Sequence, residues 1–83
     1  MAEQILIPES ADRETRYELL LPQLEALIAG ETDLVANISN VVAALREAFG
    51  FFWVGVYFVK EDQLVLGPFQ GPVACTRIGL GKG

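Results

Sequence analysis

The sequence predicts an α+β fold in which an antiparallel sheet is flanked by helices. Three observations carry that expectation. Apolar residues recur at three-to-four spacing up to Phe49, whereas β-branched and aromatic residues crowd together from Phe51 onward. The segments that follow Phe51 are joined by short polar or Gly/Pro-rich connections, which suit hairpins. Helices come first and strands after, without the alternation that builds a parallel sheet.

Each element follows from local chemistry. Ile5-Leu6-Ile7, closed by Pro8, reads as an extended arm or a short edge segment. From Ser10, a candidate cap, a helix is expected with Tyr17, Leu20, Leu24, Leu27 and Ile28 on its apolar stripe. Pro22 either kinks this helix or opens a second one at its first position, and Gly30 supplies a stop. The next helix is capped by Asp33, with Thr32 as the second candidate. It turns Leu34, Ile38, Val41, Val42, Leu45 and Phe49 to one face and Asn37, Asn40, Arg46 and Glu47 to the other, and ends at Gly50. Strands are expected over Phe51 to Val59, Gln63 to Leu66 and Val73 to Ile78, separated by the turn Lys60-Glu61-Asp62 and the loop Gly67 to Pro72. A sheet of three strands keeps an open edge and sits near the lower limit of independent stability, so the fold reads as part of a larger domain.

Bulk composition points the same way. Eighty-three residues make one small domain at most, yet 52% of them are apolar and only 20% charged. That surplus calls for a further packing surface, either more of the same domain or a second copy of the chain. A net charge of -5, with six basic residues scattered singly, argues against nucleic acid and against a membrane surface as partners. The start, Met1-Ala2-Glu3-Gln4, lacks the basic and apolar regions of a signal peptide, and the apolar run Phe51 to Val59 is too short to span a bilayer, so a cytoplasmic protein is expected. The chain holds one cysteine and no histidine, which excludes an internal disulfide, a zinc cluster and any imidazole-based catalysis.

Chemistry is therefore sought in a few residues. Trp53, Gly55 and Tyr57 share a strand face because side chains alternate with period two. Two readings stand: a glycine between aromatics leaves a hollow for a small molecule, or the rings are core and Gly55 relieves crowding. Cys75, expected mid-strand, is either a small buried hydrophobe or a reactive thiol beside Arg77. Gly79-Leu80-Gly81-Lys82-Gly83 matches no phosphate-binding spacing and reads as a connection.

Three patterns then occur in one order: Gly30-Glu31-Thr32 before an amphipathic helix, Trp53-Val54-Gly55-Val56-Tyr57 in a strand, and Leu64-Val65-Leu66-Gly67-Pro68-Phe69-Gln70-Gly71-Pro72-Val73-Ala74-Cys75-Thr76-Arg77-Ile78. The series resembles the free methionine-(R)-sulfoxide reductases, small GAF-domain enzymes of bacteria and fungi. The third pattern is the specific one. The resemblance runs from about Tyr17 to the last residue, leaving residues 1-15 as a variable lead-in and the chain, 1-83, as the N-terminal part of a single GAF domain. It implies a GAF-like antiparallel sheet flanked by helices, of which the N-terminal helices and first three strands are present. It implies reduction of free methionine-(R)-sulfoxide by thiols, with no metal or organic cofactor, thioredoxin as the external reductant and a homodimer as the assembly. Residue by residue, Cys75 matches an auxiliary redox cysteine that is not the attacking thiol, while Trp53 and Tyr57 match substrate-pocket residues. The attacking and resolving cysteines fall beyond Gly83 in that comparison, so the 83-residue chain alone is expected to be inactive. The alternative from another class is a GAF-like small-molecule-binding or dimerisation module without catalysis.

Overall fold

A computed structural model describes residues 4–80. The expectations placed on Met1, Ala2 and Glu3 and on Gly81, Lys82 and Gly83 lie outside the described residues. Two helices, α1 (Arg13–Ile28) and α2 (Leu34–Phe49), precede three strands, β1 (Val54–Lys60), β2 (Gln63–Gln70) and β3 (Arg77–Gly79). The strands form one antiparallel sheet in the order β1-β2-β3. α1 packs on α2, and α2 in turn packs on β1 and β2. No described helix is long and apolar enough to cross a membrane.

The helix starts are set by carboxylates. Asp12, not Ser10, caps α1, its side chain accepting the Thr15 amide at 2.8 Å. Those bonds from Thr15 hold the Asp12 carboxyl below its ordinary pKa. Ser10 falls instead within the turn closed by Ala11 N–H on the Pro8 carbonyl. Pro22 sits inside one continuous helix, which settles the two alternatives left by the sequence. Asp33 caps α2 as expected, through Ala36 N–H, and Gly50 closes it in the left-handed region at φ 68°.

The core between the helices is built from small side chains. Leu20, Ala44 and Ala48 are buried together, with Ile5, Ile7, Leu24, Leu27, Leu45 and Phe49 packed around them. Alanines at 44 and 48, four residues apart, let α1 approach α2 closely. Leu34, placed on the buried face by spacing, is 64% exposed. The arm before α1 is held by side chains rather than by a sheet. Gln23 accepts Leu6 N–H and donates to the Leu6 carbonyl, while Arg16 joins the Glu9 carbonyl to that of Ala48 near the end of α2.

The sheet departs from expectation in three places. β1 begins at Val54 rather than Phe51, because Phe51 stacks on Phe49 at 5.4 Å and no partner strand reaches beyond Gln70. β2 continues through Gly67-Pro68 to Gln70 instead of ending at Leu66. The pairing shifts between Gly55↔Phe69 and Tyr57↔Leu66, so Gly67 and Pro68 form a bulge opposite Val56. A bulge beyond the end of the β3 pairing is where a strand tolerates a proline, since no ladder partner needs its missing N–H. β3 is only Arg77–Gly79, and Val73 to Thr76 is a connection without strand pairing except for Leu66 N–H on the Thr76 carbonyl.

Candidate functional site

One face of the sheet gathers three aromatic residues, Trp53, Tyr57 and Phe69. Trp53 and Tyr57 project to the same side and stack with centroids 6.3 Å apart. Phe69, opposite Gly55 in the ladder, stacks on Trp53 at 5.6 Å with ring planes 15° apart. Both polar tips are engaged: Trp53 Nε1–H donates to the Pro72 carbonyl at 3.2 Å and the Tyr57 hydroxyl to the Cys75 carbonyl at 2.8 Å. These two bonds hold the connection 71–76 across the aromatic face, and they are the physical reason that it does not run as a strand. Its Pro72 and Cys75 carbonyls are turned to side chains rather than to a ladder.

The hollow inferred at Gly55 is filled. A Cβ built there would lie 2.5 Å from Phe69 Cβ and 2.7 Å from Trp53 Cη2, so the glycine admits the indole itself over the strand. Gly71 does the same at the other end of the ring. Its φ is +132°, and a Cβ would meet the Phe52 carbonyl at 2.7 Å and Trp53 Cδ1 at 2.9 Å. Of the two readings left open by the sequence, close packing describes the space between the rings. The rings remain half-buried, which leaves part of their π surface open. A separate cavity of about 200 Å³ lies between the arm and α1, lined by Gln4, Ile5, Gln23, Ala26 and Leu27, away from these rings.

Cys75 is exposed and lies in the connection, not mid-strand as expected. Arg77 turns its guanidinium to Gln63 Oε1 at 2.9 Å. The structure thus brings Trp53, Tyr57 and the Cys75 backbone together and directs Arg77 elsewhere. Phe69 belongs to this cluster and was missed as a site residue because the sequence pattern ends the strand at Leu66 and places Phe69 in the loop Gly67 to Pro72, whereas β2 runs on to Gln70. The signal was the Gly-Pro pair inside an apolar run, which marks a bulge. Among the described residues no three His, Cys, Asp or Glu side chains stand close enough to hold a metal ion.

No family model matches the chain. Individual proteins do. The chain is 56% identical over 84 residues to GAF domain-containing protein A of Dictyostelium discoideum, covering 100% of this chain and 52% of that protein. It is 46% identical over 68 residues to the free methionine-R-sulfoxide reductase of Escherichia coli, covering 81% of this chain and 41% of the enzyme. Among solved structures, the free methionine-R-sulfoxide reductase of Neisseria meningitidis, in complex with its substrate, superposes with a TM-score of 0.83 at 52% identity, covering 96% of this chain and 50% of that one. The chain spans about half the length of the curated relatives it matches. With its two helices and antiparallel sheet, the chain has a GAF-like α+β fold and is similar, over most of its own length, to about half of each of these free methionine-R-sulfoxide reductases.

Proposed function

We propose that this chain, as the N-terminal part of a single GAF domain in a polypeptide of its relatives' length, serves the thiol-dependent reduction of free methionine-(R)-sulfoxide to methionine. The observation that carries the reading is the union of Trp53 and Tyr57 with the connection that bears the chain's one thiol. Half-exposed aromatic rings suit the methyl-sulfur end of the substrate, because a polarisable sulfur gains from contact with a π surface. In the reaction a thiolate attacks the sulfoxide sulfur. The oxygen passes to the cysteine as a sulfenic acid, methionine leaves, and a second thiol condenses with the sulfenic acid to give a disulfide and water. The sulfoxide gains two electrons and the thiol pair loses two. Thioredoxin restores the pair by dithiol exchange, and no metal or organic cofactor enters. A compartment that keeps thiols reduced, the cytoplasm, suits this cycle. Cys75 is the auxiliary thiol, and two copies of the chain pair through the apolar surface that each leaves exposed.

One thiol cannot close an internal disulfide, so the 83 residues alone are expected to turn over no methionine-(R)-sulfoxide with thioredoxin present. The polypeptide of the relatives' length is expected to consume the R epimer of the free amino acid and to leave the S epimer and peptide-bound sulfoxide untouched. Methionine formation followed by chromatography decides. Turnover by the 83 residues would overturn the assignment of Cys75, and none by the longer polypeptide would leave a binding module without catalysis.

A further inference from the structure

We propose that Phe69 is the positioning residue for the Trp53 indole, and that the Gly67-Pro68 bulge exists to deliver it. The register of β1 on β2 fixes which face each side chain takes. Residues opposite one another across an antiparallel pair point to the same face, so Leu66 shares the face of Tyr57, and Phe69 that of Gly55. Leu66 and Phe69 are three residues apart and would occupy opposite faces of a regular strand. The extra residue of the bulge reverses that alternation. Gly67 confirms the geometry from the other side, since a Cβ there would strike Phe58 Cε2 at 2.7 Å and Val56 Cγ2 at 3.1 Å, both on the opposite face.

The consequence for Trp53 is a ring fixed on three sides. Phe69 lies parallel to it at 5.6 Å, the bare backbone of Gly55 passes beneath Cη2, and Pro72 accepts its N–H. Apart from Phe69, these restraints come from backbone, which sets the position of the indole but presents little surface to its face. Two rings supply that surface, and of these Phe69 is nearer and more nearly parallel than Tyr57, which stacks at 6.3 Å with a 26° tilt. A side chain without a ring at position 69 leaves the indole free to rock about its hydrogen bond, and the plane offered to a sulfoxide's methyl-sulfur end is lost. The functional half of this inference rests on the proposed substrate; the structural half does not.

Trp53 is the chain's one tryptophan, so its emission reports this site alone. The test compares the parent chain with Phe69→Leu and Phe69→Tyr by time-resolved anisotropy of Trp53 and by its fluorescence titration with free methionine-(R)-sulfoxide. Phe69→Leu is expected to lower the local order of the indole and to weaken the sulfoxide by roughly threefold to tenfold, the range to which an aromatic pair's contribution converts. Phe69→Tyr, which keeps the ring, is expected to restore both. Should Phe69→Leu lose its far-ultraviolet circular dichroism, Phe69→Met, ringless but longer and more adaptable than leucine, takes its place in the same comparison. Unchanged indole order in the ringless variant overturns the proposal. If the parent itself binds no sulfoxide, the substrate reading of Trp53 falls, and the indole order alone decides the role of Phe69.

Discussion

At Gly55 the strand has no room for a methyl group. Its neighbours there are the Cβ of Phe69, the Cα of Phe69 at 3.0 Å and the far edge of Trp53, and of these only the indole can yield. Gly55→Ala is therefore expected to lower stability by about 1–3 kcal/mol, the usual cost of overpacking a filled site. It is also expected to shift Trp53 emission toward that of a water-exposed indole. An alanine variant with parent-like stability and emission would mean that the indole does not lie over the strand. The same residues show how much of the site could be read in advance. Trp53 and Tyr57 were visible because strand alternation is a local rule, obeyed wherever pairing is regular. Hollow and packed core stayed open as alternatives between them because a glycine's missing side chain says that something comes close but not what. Here it is Phe69 and Trp53 themselves. Cys75 was assigned to a strand by its β-branched surroundings, and long-range bonds from Trp53 and Tyr57 to the backbone around it decided otherwise.

Among the elements, those governed by local chemistry were legible and those governed by partners were not. Asp33 and Gly50 were found from sequence because a carboxylate cap and a left-handed glycine each act within one helical turn. Ser10 and Asp12 are both capping types two residues apart, and the Pro8–Ala11 turn, a feature of backbone geometry, selects the second. Gly67-Pro68 carries the signature of a loop, yet the ladder resumes beyond it with Phe69 and Gln70 on β1, so the pair reads as a bulge only when β1 is known. The β1–β2 hairpin offers a test at this scale. Lys60 pairs with Gln63, leaving a two-residue turn in which Glu61 has φ 49° and Asp62 φ 66°. Two positive φ values in succession define the turn whose twist matches the strands, and its favoured residues are Asn and Gly. A side chain in the left-handed region is strained, and Glu has none of the local hydrogen bonding that eases Asn or Asp there. Replacing Glu61-Asp62 by Asn-Gly should stabilise the chain by about 1 kcal/mol, after allowance for the glycine's greater freedom when unfolded. Such a change raises Tm by roughly 4–8 °C in a domain of this size. A lower Tm would mean that the Asp62 carbonyl, which accepts Leu80 N–H at 3.4 Å, depends on the native turn more than its length suggests.

The whole molecule is shallow for its length. Its radius of gyration is 14.6 Å, with extents of 40 × 29 × 21 Å, against about 12 Å for a compact domain of the same number of residues. The layering explains this: α1 touches α2, α2 touches the sheet, and among the described residues the aromatic face is crossed only by the connection 71–76. Large apolar side chains are left outside in consequence, Phe52 at 79% and Val73 at 96% exposure among them. They flank the crossing of Trp53 and Gly71, where a Cβ on Gly71 would meet the Phe52 carbonyl. Apolar surface in water binds apolar dyes and other apolar surfaces, and a chain that exposes this much of it should do both. The native protein is expected to enhance the emission of anilinonaphthalene sulfonate at neutral pH and to sediment faster as its concentration rises. Phe52→Ser combined with Val73→Thr should reduce both effects. Neither side chain is held in the interior, so Tm should move little, surface changes being worth within about 0.5 kcal/mol each. If dye binding and association persist undiminished in the double variant, the sticky surface lies elsewhere, and the outer side of α1, where Leu21 is 57% exposed, becomes the face to change next.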